Sequence, residues 1–213
     1  MYCCSGVSSY RLKENKKMKS VYNFVVTPKG NRYNNTKKVD DGELILNTEI
    51  YNHQYINREA IVISTPIIGE TDIQPSDTVI VHHNVFRRWH NVKGIEKNSR
   101  CFFDESTYLI NHDQIFLYKR DDKWIAPKGY CFVKPLKAKN SLNVDLETPL
   151  QGIVKYSDGT VSIGDLVGFR PSSEYEFVVD GERLYRVLSK FITIKYEYQG
   201  DEEEYNPSWA KSS

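Results

Sequence analysis

Four runs rich in β-branched and aromatic residues occur twice along the chain, in the same order. Asn23-Phe24-Val25-Val26 matches Cys131-Phe132-Val133-Lys134, and Glu59-Ala60-Ile61-Val62 matches Gln151-Gly152-Ile153-Val154. The segment from Ile73 to Ile80 matches that from Val161 to Gly168, and Asp113 to Lys119 matches Ser189 to Lys195. The spacing shrinks along the series: 108 residues from Phe24 to Phe132, 92 from Ile61 to Ile153, 88 from Asp77 to Asp165 and 76 from Ile115 to Phe191. The second copy is therefore shorter in each intervening loop, where deletions are tolerated, while its strand-like runs persist. A chain of this kind is expected to fold as two similar units in tandem, each with a thin core.

Both copies read as β-structure. No stretch keeps a helical apolar period over three turns, whereas short alternating runs recur throughout. Expected strands in the first copy are Val21–Thr27, Glu43–Leu46, Glu59–Thr65, Thr78–His83, Tyr108–Ile110 and Ile115–Lys119. In the second they are Tyr130–Pro135, Gly152–Tyr156, Leu166–Arg170, Tyr175–Val179, Leu184–Leu188 and Phe191–Tyr198. Turn chemistry divides them at Pro28-Lys29-Gly30, Asp41-Gly42, Asp158-Gly159 and Asp180-Gly181. Strands this short and this regularly punctuated predict an all-β barrel or sandwich. An aromatic content of 13% is too high for a disordered chain.

Charge and cysteine usage exclude several classes of function. With 29 basic and 28 acidic residues the net charge is +1, so no global field draws in nucleic acid or an anionic membrane. The acids that do cluster, Asp201 to Glu204, read as a solvated tail. Cys3, Cys4, Cys101 and Cys131 have no metal-binding or disulfide-framework spacing. The polar, basic stretch from Met1 to Lys17 has no secretory apolar core, and Met18 stands where a natural start would fit. The expected location is the cytoplasm.

Searches for catalytic chemistry end in absences. Adjacent His82 and His83 on a strand point to opposite faces and do not make a metal site. There is no phosphate loop, no dinucleotide-binding glycine pattern and no serine-nucleophile elbow. Arg87-Arg88-Trp89-His90-Asn91-Val92-Lys93 mixes cations with an aromatic, but reads as a solvated hairpin tip. No enzyme activity and no cofactor are expected.

The first copy, from Ser20 to Lys119, resembles the GroES-like co-chaperonin family. The similarity lies in an opening apolar strand at Val21–Val26 and a polar loop from Gly30 to Lys38 that ends in Gly42-Glu43-Leu44-Ile45-Leu46. It continues through the strand Arg58–Ile63, the turn and strand Gln74-Pro75-Ser76-Asp77-Thr78-Val79-Ile80-Val81, and a closing Tyr108–Leu117. The resemblance implies two tandem, partly closed GroES-like β-barrels. Their boundaries would be an extension at 1–19, a first domain at 20–119, a linker at 120–124, a shortened second domain at 125–198 and an acidic tail at 199–213. Two departures stand out. Ser76 replaces the glycine before Asp77, and the equivalent loop of the second copy, Lys137 to Leu150, has alternating Leu142, Val144 and Leu146 instead of an apolar triplet.

By the same resemblance the partner would be an ATP-driven chaperonin ring, contacted by Gly42, Glu43, Leu44, Ile45 and Leu46. Three successive aliphatics also suit an ordinary core strand, and both readings of the triplet stand on sequence alone. Docking by one loop is weak, so it calls for a homo-oligomer presenting several loops together. The rival class is a phage structural or assembly protein on the same barrel, in keeping with the heavy use of Asn, Lys, Tyr and Ile. Neither nucleic acid nor membrane is an expected partner.

Overall fold

The structure is a computed structural model that describes residues 18–34, 36–39, 42–45, 55–139, 147–197 and 200–212. It is all-β, with antiparallel sheets joined by tight turns and short 3-10 segments. The first large sheet holds β1 (Phe24–Pro28), β4 (Glu59–Ser64), β5 (Thr78–Val81), β8 (Phe102–Asp104), β9 (Thr107–Ile110), β10 (Ile115–Arg120) and β11 (Lys123–Ile125). The second holds β12 (Tyr130–Lys137), β13 (Glu147–Ser157), β14 (Leu166–Phe169), β15 (Glu174–Val179), β16 (Glu182–Leu188) and β17 (Ile192–Tyr196). Two small ribbons lie outside these sheets: β2 (Thr36–Val39) with β3 (Gly42–Ile45), and β6 (Arg88–His90) with β7 (Glu96–Asn98).

One order of strands serves both large sheets. The first runs β10-β5-β4-β1-β9-β8, with β11 added outside β10; the second runs β17-β14-β13-β12-β16-β15. Register sharpens the correspondence. Val26 faces Val62 and Tyr108, as Val133 faces Val154 and Tyr185, and a β-bulge precedes each valine. The turn before β5 is matched as closely. Gln74 N–H donates to Asp77 Oδ2 at 2.8 Å and Ser162 N–H to Asp165 Oδ2 at 3.0 Å. Ser76, at φ 76°, occupies the left-handed position that Gly164 fills at φ 89° in the second sheet.

Neither sheet closes into a barrel, so of the expected architecture the structure carries the all-β class and the antiparallel sheets. In the first sheet the reason is at the edges. Closure would bring β8 against β10, but β8 has three residues and a register shift, and the outer edge of β10 is already paired with β11. Residues 120–124, expected as a linker, turn through Asp121 and Asp122 at φ 48° and 62° and pair back as the β10–β11 hairpin.

Each sheet has a core of its own. Phe24, Val26, Val62, Val79, Tyr108 and Ile115 fill the first; Val133, Val154, Val167, Phe169 and Val187 fill the second. A third cluster lies between them, joining Ile80, Phe116 and Leu117 to Phe132, Phe177 and Leu184. The acidic run, expected as a solvated tail, lies along the second sheet with Asp201, Glu203 and Glu204 exposed. Tyr205 N–H donates to Pro135 O at 2.8 Å, Lys134 Nζ reaches Glu204 at 2.6 Å, and Ala210 is fully buried. Among the described residues no helix is long and apolar enough to cross a membrane.

Candidate docking site

The ribbon expected to contact a partner grows from the connection between β1 and β4. Its root is closed by hydrogen bonds on both limbs: Asn34 N–H to Tyr55 O at 2.7 Å and Asn57 N–H to Arg32 O at 3.1 Å. Asn57, 3% exposed, acts as the clamp. Its Nδ2 donates to Lys29 O at 3.0 Å and Asn31 O at 2.8 Å, while its Oδ1 accepts Glu59 N–H at 2.9 Å. This buried side-chain amide reinforces the antiparallel Tyr33–Ile56 bridge at the root. Tyr33, also buried, anchors the same root to the β6 segment by accepting Arg88 N–H at 2.8 Å.

Beyond the root the backbone is strand-paired. Thr36 lies opposite Ile45, Lys37 opposite Leu44, Lys38 opposite Glu43, and Val39 opposite Gly42. Of the five residues expected to dock, Gly42, Glu43, Leu44 and Ile45 therefore share one strand, and Leu46 lies outside the described residues. Leu44 is 55% exposed. Leu142, Val144 and Leu146, in the equivalent loop of the second unit, also lie outside them.

A second constellation, which sequence reasoning did not assemble, lies where the two sheets meet. The Arg186 guanidinium sits 3.7 Å from the Tyr130 ring centre and 4.4 Å from that of Phe116. Arg58 lies over Phe116 and Phe177 at 5.4 and 5.9 Å. Neither arginine makes a salt bridge among the described residues, and burial pulls both below the ordinary guanidinium pKa. Aromatic faces take the place of carboxylates there.

His82 and His83 lie just past the end of β5, and so do not alternate as strand neighbours would. Their ring centres are 4.2 Å apart, and the His83 Nδ1 is 3.0 Å from the Tyr175 hydroxyl across the sheet boundary. No group of three or more His, Cys, Asp or Glu is placed to hold a metal among the described residues. Burial pushes the Cys101 and Cys131 thiols up, away from the reactive thiolate.

No protein-family model and no curated protein matches this chain.

Proposed function

We propose that the chain is a co-chaperonin, with the β2–β3 ribbon as the element that docks on a chaperonin ring. The placement of that ribbon carries the reading. It leaves the fold between β1 and β4, belongs to neither large sheet, and presents Leu44 to solvent. The resembled family has its partner-binding loop at this point in the strand order.

Pairing within the ribbon alters the energetics of docking. Ordering a free loop costs about 1–2 kcal/mol per residue in backbone entropy, and a preformed ribbon avoids part of that cost. Burying three aliphatic side chains contributes roughly 5–9 kcal/mol gross, at about 1.5–3 kcal/mol each. A single ribbon still binds modestly after the loss of translational freedom, so several presented together are required.

Two exposed apolar residues support association of copies. Leu117 is buried between the two sheets of one chain, whereas its register counterpart Ile194 is 49% exposed. Phe103 is 57% exposed at the bulge that corresponds to Phe177, which is 2% exposed in the same inter-sheet cluster. Head-to-tail contact between chains would cover both residues with surfaces of the kind already joined inside the chain.

The test is retention on an immobilised chaperonin ring in the presence of ATP, with mass measured by light scattering. Wild type is expected to be retained as an oligomer, and the combined Leu44→Asp, Ile45→Asp, Leu46→Asp variant to be lost at unchanged mass. Equal retention of the two proteins, or a monomeric wild type, rejects the reading. Strand pairing of Gly42–Ile45 favours the rival reading, a phage structural or assembly component, and abundance in purified virions would favour it further.

A further inference from the structure

The interval between β5 and β8 spans residues 82–101, while its counterpart between β14 and β15 is only 170–173. The extra chain forms the β6–β7 ribbon and one wall of a cleft of about 480 Å³, which ends at Gln114. Its backbone is firmly held: Val85 and Phe86 are fully buried, Arg32 Nε donates to Phe86 O at 2.7 Å, and Ser99 Oγ donates to Val85 O at 2.5 Å.

Arg87, Trp89, Arg100 and Asn84 line this cleft, and among the described residues no carboxylate does. Arg88 is neutralised by Glu96 at 3.1 Å, but among the described residues neither Arg87 nor Arg100 has an acidic partner. The Nε of Arg87 is buried with no hydrogen-bond partner. Two guanidinium groups without acidic partners on one cleft make it attractive to an anion. The net charge of +1 conceals this local excess.

We infer that the cleft binds a nucleotide, with a planar base against Trp89 and its phosphate held by the guanidinium groups of Arg87 and Arg100. Guanidinium forks match phosphate oxygens in pairs, and an indole face stacks on any base. The volume falls within the range of small-ligand sites. The cleft is independent of the β2–β3 ribbon. Its nucleotide has two sources, free in solution or at the end of a single strand, and the experiment separates them.

Equilibrium dialysis of the full chain against AMP, inorganic phosphate, a short oligothymidylate and a Glu-rich peptide is the test. Saturable AMP binding is expected, with phosphate alone at least about tenfold weaker because it lacks the ring. Arg100→Glu, at an exposed and unpaired position, should weaken AMP at least about tenfold. Trp89→Leu should weaken AMP while leaving phosphate unchanged. Binding of the oligonucleotide in preference to AMP, with steep salt dependence, assigns the strand as the source. The inference is overturned if neither AMP nor oligonucleotide saturates, if the acidic peptide binds as well as AMP, or if Arg100→Glu binds like wild type.

Discussion

At Gly152 the second sheet leaves no room for a side chain. A Cβ there would lie 2.5 Å from the Lys134 carbonyl oxygen, and that carbonyl belongs to β12, the strand β13 pairs with. The register counterpart is Ala60, fully buried in the first sheet, so the same site tolerates a methyl group in one unit and not in the other. Gly152→Ala is expected to cost about 1–3 kcal/mol, the usual penalty for forcing extra volume into a packed site. A lowered urea midpoint at unchanged slope would show it; an unchanged midpoint would mean the strands separate freely there. Asp77 shows the opposite case, in which one side chain fits fully. It is 6% exposed, accepts Gln74 N–H, and receives Arg120 Nη2 at 2.7 Å and Nε at 3.1 Å.

Among the elements, the β2–β3 ribbon depends on its root more than on its own pairing. A two-stranded ribbon is marginal in water by itself. Asn57→Ala would leave Lys29 O, Asn31 O and Glu59 N–H without their side-chain partner, at a cost of about 1–3 kcal/mol. The expected outcome is faster amide exchange across Thr36–Val39 and Gly42–Ile45, with β4 and β5 still protected. Equal loss of protection in the large sheets would mean that Asn57 supports the whole unit and not the ribbon. The expected strands of the large sheets were legible because alternation with β-branched residues has one reading, and the Glu43–Leu46 run was legible in the same way, whereas its partner Thr36-Lys37-Lys38-Val39 sits in a polar, basic stretch that reads as loop. Register was less legible. Aligning Phe24 with Phe132 places the copies 108 apart, but pairing equates Phe132 with Val25, an offset of 107. Ile115 likewise corresponds to Ile192, an offset of 77, and not to Phe191. One residue reverses the face of a strand: Phe24 fills the core of its own unit, while Phe132 packs between the units.

Across the whole molecule, the boundary between the sheets is where pH should act. Burial, and then the charge of Arg186, hold the His112 pKa below 6.5, so the folded state prefers the neutral ring. As pH falls through the unfolded value of about 6.5, the unfolded chain takes up the proton first and stability declines. The loss continues until the folded pKa is passed. The urea midpoint should therefore be lower at about pH 5.5 than at pH 7.5, and His112→Gln should lessen that difference. An identical difference in the variant would place the sensitivity elsewhere. The acidic C-terminal run belongs to this scale as well. Its composition reads as solvated, and the nearby Lys134, Lys137 and Lys139 side chains and the backbone of β12 draw it onto the fold.

Sequence alone determined the all-β class and the twofold recurrence of strands, because β alternation and turn chemistry are local and survive loop deletion. It also singled out the Gly42–Leu46 segment. Tertiary structure decided that the sheets stay open, which face each phenylalanine serves, and that Arg87 and Arg100 share a cleft with Trp89 without an acidic partner among the described residues. Those outcomes depend on which distant backbone groups find one another, and no local pattern encodes that.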